Sequence, residues 1–289
     1  MIASNTTWTA DQNVDRLTIR PGVTLTLAAN AKVTAANLTM DSSSTIQFAT
    51  PGARVTVNGT AQMGSSSKVI GDVVTLRGGT WTLGSSAHID GNIDMSVVAL
   101  TTSSSAYLSA DGYGSGPNTG DGAGYPNGAS YTSGSGASHG GRGNPGYSTS
   151  NTRGTYGSAL RPATKGSGGG SSWCATAGAG GGTIRLVVSG TLAHEGNIRS
   201  NGRDGGRSSC HSYRGAGGGA GGSVWVTTNT LSGTNGRFYA SGGSGGGGHN
   251  SYRGGGGGGG RVAVYYQTGG VRYPYNSDVA GGYGFQAYA

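Results

Sequence analysis

The sequence predicts an all-β protein, a single right-handed parallel β-helix with long stacked glycine-rich loops. Three observations carry this expectation. Short segments alternate apolar and polar residues, turn-forming residues separate them at regular places, and the segments recur, first every twenty residues or so and later about every forty. No stretch shows a sustained 3.6-residue period between caps, so no helix is expected.

From residue 12 to 110 the coils are short. Leu17 and Ile19 are followed by Val23, Leu25 and Leu27, then Val33, Leu38 and Met40, then Ile46 and Phe48, then Val55 and Val57. Val69, Val73 and Leu76 come next, with Trp81, Leu83, Ile89, Ile93 and Met95 after them. The separators PG, DSSS, NG, GSSS, GG and DG are turn chemistry. LTI at 17 resembles LTM at 38 and WTL at 81, a spacing that holds three short strands and three turns of one coil. A β-sandwich has similar strand lengths, but the regular recurrence favours the coil.

Beyond residue 111 the coil is enlarged. GGTIRLVVSGTLAHEGNIRSNG (181–202) aligns with GGSVWVTTNTLSGTNGRFYASGG (221–243), and GGRVAVYYQTGG (259–270) begins a third copy. Ile184, Val224 and Val262 are therefore expected in one inward row, Leu192 beside Leu231, and Ile198 beside Phe238. YLSADG (107–112) is the earlier counterpart of NIRSNG, so 113 to 180 reads as one large insertion. One domain is expected over 1–289, with short coils at 12–110, enlarged coils at 111–270 and a tail or cap at 271–289. The glycine runs fall at one position of successive coils. Without side chains they can approach closely, accept positive φ, and pack as polyproline-II-like strands; floppy loops are the competing reading.

Composition narrows the function classes. Of 289 residues 63 are Gly, yet no strict Gly-X-Y period exists, which excludes collagen. No apolar run approaches the ~20 residues of a membrane helix, so no membrane span is expected. The start MIASNTTWTA lacks the regions of a signal peptide and reads as a mature chain from which one is missing, with the whole read as part of something larger. Residues 1 to 111 hold six Lys/Arg and seven Asp/Glu, a balance of −1, whereas 112 to 289 hold thirteen and four, a balance of +9. Fourteen of the fifteen Tyr also lie beyond 111. A basic, aromatic surface suits a polyanion, because Arg offers forked donors and Tyr flat area.

Cys174 and Cys210 lie in neighbouring glycine-rich loops and are expected to form a disulfide, with two unpaired thiols as the alternative. No CxxC supports a zinc site, TKGSGGG (164–170) lacks the context of a P-loop, and no metal or cofactor is expected. GGRG and YRGG match the RGG segments that bind RNA, but strand patterns frame them here, which argues against nucleic acid. Carboxylates are too few to pair for glycoside hydrolysis: Asp121, Asp204, Asp278 and Glu195 are the acids of the basic part. A β-elimination lyase fits better, with His211, Tyr213, His249 and Tyr252 as base and acid. Arg142, Arg214 and Arg253, with Tyr147 and Trp173, are the residues expected to bind substrate. His139, Arg142 and Tyr147 are expected on the same side as His211–Arg214 and His249–Arg253.

The residues YGSALRPATKGSGGG (156–170), GAGGGTIRLVVSGTL (178–192) and GGGGGGGRVAVYY (254–266) resemble large glycine-rich, β-helix-like bacterial surface proteins, some of the adventurous gliding motility type. The likeness covers roughly 106 to 270. It implies an extracellular location and a solenoid fold, and little about activity. Two functions are carried forward: a non-catalytic adhesin or carbohydrate-binding solenoid for an acidic polysaccharide or cell-surface glycan, and a polysaccharide lyase on the same scaffold.

Overall fold

The computed structural model describes residues 1–126, 132–147, 151–207, 214–247, 252–269 and 277–284. Among these the chain is all-β with no helix. The strands are β1 (Thr6–Trp8), β2 (Gln12–Ile19), β3 (Thr24–Leu27), β4 (Lys32–Met40), β5 (Thr45–Phe48), β6 (Arg54–Val57), β7 (Thr60–Met63), β8 (Lys68–Arg77) and β9 (Thr80–Leu83). They continue as β10 (His88–Val97), β11 (Ala99–Thr102), β12 (Tyr107–Ser109), β13 (Thr183–His194), β14 (Asn197–Arg199), β15 (Ser223–Ser232), β16 (Arg237–Tyr239), β17 (Arg261–Gly269) and β18 (Ser277–Asp278).

The strands pair in parallel with strands further along the chain, and three ladders result. In the first, Ile46, Val69, Ile89, Leu108, Ile198 and Phe238 succeed one another. In the second, Ile93, Ile184, Val224 and Val262 are in register. In the third, Leu17, Leu38, Ala61, Trp81, Leu100, Leu192 and Leu231 form a continuous row in which no residue is more than 2% exposed. Alternation produces this arrangement: every second side chain enters the core, and burying each Leu or Ile contributes roughly 1.5–3 kcal/mol over leaving it exposed. The step from Leu100 to Leu192 spans the large insertion, so 113–182 leaves the ladders after β12 and returns at β13.

One detail departs from the sequence expectation. Val73 is only half-buried and Val74 points inward instead, because the register between β8 and β10 shifts by a bulge beside Asp90. Within the expected tail or cap, β18 extends the first ladder and the N–H of Gly282 donates to the Gly257 carbonyl. The tight turns stack as well. Ser43, Ser66 and Ser86 take left-handed φ of 59, 58 and 56°, and Ser43 and Ser66 donate to the Ser65 and Ser85 carbonyls of the next coil.

The glycine runs form a second layer, a bundle of extended segments beside the strands. The segment 215–222 sits at its centre, and a three-residue rhythm orders its bonds. Ala216 and Gly219 donate to Gly206 and Arg203, Gly217 and Ala220 to Gly170 and Ser167, and Gly218 and Gly221 to Gly255 and Gly258. In return Gly215 and Gly218 accept from Gly134 and Ala137, Gly217 and Ala220 from Gly178 and Gly181, and Ala216 and Gly219 from Gly246 and Gly243. One segment is thus bonded to six neighbours. Three residues per turn is the polyproline-II period, and such a segment satisfies its donors only through other chains. The alternative of floppy loops does not hold for these segments.

Glycine is required for proximity here and not for φ, since no glycine in 215–222 has positive φ. A Cβ on Gly217 would lie 1.9 Å from the Ser135 carbonyl oxygen, and one on Gly178 would lie 1.8 Å from that of Arg203. Both obstacles are backbone held by further hydrogen bonds. We therefore expect Gly217→Ala to cost about 3 kcal/mol or more and to lower the melting temperature by roughly 6–12 °C. Gly116→Ala, whose Cβ meets nothing nearer than 3.9 Å, should melt within a degree or two of the parent; thermal unfolding followed by circular dichroism checks both.

Candidate functional site at the far end of the glycine bundle

The segments run alternately away from the strands and back, so the bundle has a strand end and a far end. Gly221, Gly222 and Gly260 lie at the strand end, beside β15 and β17; Gly134, Gly170, Gly206, Gly215 and Gly246 lie at the far end. This geometry divides the expected binding residues. Arg142 is exposed but belongs to the strand end, because neighbouring Gly141 donates to Gly259. Tyr147, Trp173, Arg214, Tyr252 and Arg253 belong to the far end, where Tyr147 donates to the Arg253 carbonyl and Gly215 to that of Tyr252. The expectation of one shared side is corrected accordingly.

A larger correction concerns Arg214. Expected among the residues that bind substrate, it is only 5% exposed. Its guanidinium lies 4.3 Å from the Tyr252 ring centroid and 5.6 Å from that of Tyr147, and the two rings meet edge-on at 4.5 Å. Taking a guanidinium out of water is costly unless π-faces or acceptors replace the lost solvation, and the tyrosines supply that replacement. Arg214, Tyr147 and Tyr252 therefore join three returning or departing segments. The proposed catalytic Tyr252 is occupied in this packing, while His211, Tyr213 and His249 lie outside the described residues.

Trp173 stands differently. It is 63% exposed on the turn Ser172–Ala175, which the Ser172 N–H closes onto the Ala175 carbonyl at 3.0 Å. The Ser172 hydroxyl donates to the Arg214 carbonyl at 2.9 Å, and the Ser171 N–H donates to Asn118 Oδ1 at 2.6 Å. Cys174, next to Trp173, is disulfide-bonded; Cys210, the chain's other cysteine, lies outside the described residues. Arg153, whose carbonyl accepts from the Ser138 hydroxyl, sits over the Tyr125 ring at 5.1 Å. Arg153, Arg207 and Arg253 are all exposed.

Acids are engaged elsewhere. Every ion pair among the described residues takes its acid from Asp90, Asp94 or Asp111. Beyond these, Asp204 accepts from the Ser244 N–H and Asp278 from that of Ala280. Glu195 accepts from the N–H groups of Thr234 and Asn235; slight desolvation acts upward, but these bonds hold its carboxyl below the usual range. Among the described residues no group of His, Cys, Asp and Glu is arranged to hold a metal ion.

Two histidines have structural positions. His139, expected on a loop, is fully buried, with Nδ1 at 2.7 Å from the Gly221 carbonyl and Nε2 at 2.8 Å from the Thr164 hydroxyl. Burial, with Arg261 nearby, pushes its pKa down. His194, not singled out from the sequence, sits in the inward row Ile19, Met40, Met63, Leu83, Thr102, His194. Its Nδ1 is 3.0 Å from the Thr102 hydroxyl and its ring is 5.1 Å from Phe238. The alternation Leu192-Ala193-His194 is the signal that could have placed it.

No protein-family model, curated protein or solved structure matches the chain.

Acid should weaken the fold through His194. Burial lowers its pKa from 6.5 to about 4, against the upward pull of the Arg237 carbonyl and Glu195. The unfolded chain takes up this proton near pH 6.5 and the folded chain only near 4. The stabilisation is therefore complete above 6.5 and is lost as pH falls through about 4, a loss of about 3 kcal/mol. Denaturant midpoints measured from pH 7.5 to 4 should fall less steeply for His194→Gln than for the parent.

Proposed function

We propose that the chain is an extracellular binding protein for an acidic polysaccharide, with exposed arginines of the glycine bundle as its contacts. The scaffold reading that accompanies this is a single right-handed β-helix whose side bears the bundle. The three parallel ladders and their coil-by-coil registers support it, together with the right-handed rule for parallel crossovers. A disulfide at Cys174 fits an oxidising compartment, and the likeness to glycine-rich surface proteins points the same way.

The observation that carries the proposal is the state of the charges. Residues 112–289 hold thirteen cations against four acids, and three of those acids are engaged by backbone N–H groups. Arg207 and Arg253 at the far end, with Arg142 and Arg153 toward the strand end, are thus left for an external carboxylate or sulfate. A guanidinium meets either group through two parallel hydrogen bonds, and such charge-assisted contacts contribute roughly 1.5–3 kcal/mol each. Arg214 is not a contact in this reading; it holds the bundle together.

The test is retention on immobilised polygalacturonate and chondroitin sulfate across a salt gradient. Arg153→Gln, Arg207→Gln and Arg253→Gln combined should elute at markedly lower salt with an unchanged melting temperature. Arg214→Gln should lower the melting temperature instead. Equal retention of the triple variant and the parent would remove the proposal. Release of unsaturated uronates from either polymer, read by ultraviolet absorbance, would replace it with the lyase reading.

A further inference from the structure

Most aromatic side chains near the far end already have a partner. Tyr147 and Tyr252 enclose Arg214, and Tyr125 lies under Arg153. Tyr283, 86% exposed, stands on the outermost departing segment, where its carbonyl accepts from Gly245. Trp173 combines an open indole with a base anchored through Ser171, Ser172, Cys174 and Ala175. It has no ring or cation contact among the described residues, and most of its surface is in water.

The base is fixed to an unusual degree for an exposed turn. Ser171 is tied on both sides, its N–H to Asn118 Oδ1 at 2.6 Å and its hydroxyl to the Asn118 amide at 3.1 Å and the Ala177 N–H at 3.2 Å. Ser172 is tied to Ala175 and to the Arg214 carbonyl, Ala175 packs with Ala177 and Ala216, and Cys174 is covalently held. These anchors all hold backbone, and none of them engages the indole. An exposed Trp gives no stability to a monomer, whereas a rigid exposed Trp binds with little entropy left to lose.

We infer that the Trp173 turn is a preformed platform on which one pyranose ring of the bound polysaccharide stacks its C–H face. The inference rests on the binding reading above and names the ring-stacking element of that site. Surrounding charge narrows the ligand. With Arg207 and Arg253 exposed at the same end, a cationic ligand is repelled from the indole, while a uronate or sulfated sugar places its ring on Trp173 and its anion toward an arginine.

Titration of the intact protein with oligogalacturonides, and with neutral galactan oligosaccharides of equal length, tests this. The signal is tryptophan emission of the parent minus that of Trp173→Phe. Acidic oligosaccharides should shift the emission of the parent and leave Trp173→Ala silent. The Ala variant should also bind at least about tenfold more weakly at an unchanged melting temperature, with Trp173→Tyr within about threefold of the parent. Full affinity in Trp173→Ala, with binding lost in the triple arginine variant, would overturn the platform and leave the acidic-polysaccharide reading intact. Equal response to neutral oligosaccharides, insensitive to the arginine changes, would keep the platform and overturn the acidic reading. Silence toward both saccharide classes overturns the platform.

Discussion

Backbone hydrogen bonding between extended glycine-rich segments governs this molecule. A polyproline-II segment has no internal hydrogen bonds, so a buried one survives only if each N–H and C=O finds a partner on another segment. Gly217 illustrates the demand: it donates to Gly170, accepts from Gly178, and leaves 1.9 Å between a would-be Cβ and the Ser135 oxygen. Remove the side chains and the segments can close to bonding distance; restore one and the neighbours must separate. The Gly content of the chain follows from this requirement.

The strands make the bundle possible. A free polyglycine segment would have to give up its backbone entropy without help, roughly 1–2 kcal/mol per residue. Here the ends are already placed, since the segment 215–222 runs straight into β15 and 254–260 into β17, and these strands are in register from Ser223↔Arg261 to Leu231↔Gly269. Paired strands are ~4.8 Å apart, which is also close to the separation that neighbouring segments need in order to bond. The ladder row Ile184, Val224, Val262 and the bundle bonds Gly218→Gly255 and Gly221→Gly258 are two expressions of one spacing.

The ladders were legible in the sequence because alternation leaves a mark on each strand. The pairs Leu192↔Leu231, Ile198↔Phe238 and Leu108↔Ile198 could be aligned by eye, and the structure has them. The path of 113–182 could not, because a glycine-rich segment looks alike in every register; that Ser115 bonds to Gly166 while Gly180 bonds to Ser115 is written in geometry alone. Arg214 was misplaced for a related reason. Its motif repeats at Arg253, yet the former is buried between two rings and the latter is exposed, a difference set by neighbouring segments distant in sequence. At the candidate site the residue types were visible, whereas the rigidity of the Trp173 turn depends on Asn118, 53 positions from Ser171.

The two layers also answer differently to temperature. Unfolding the ladders exposes Leu, Ile, Val and Trp, which raises heat capacity, so their stability bends downward on both warming and cooling. Unfolding 215–222 and its neighbours exposes peptide groups and little hydrocarbon, and polar exposure lowers heat capacity. For the bundle the driving force is hydrogen-bond enthalpy, which does not fade as water cools. A chain of this composition has a stability curve flatter than its length implies.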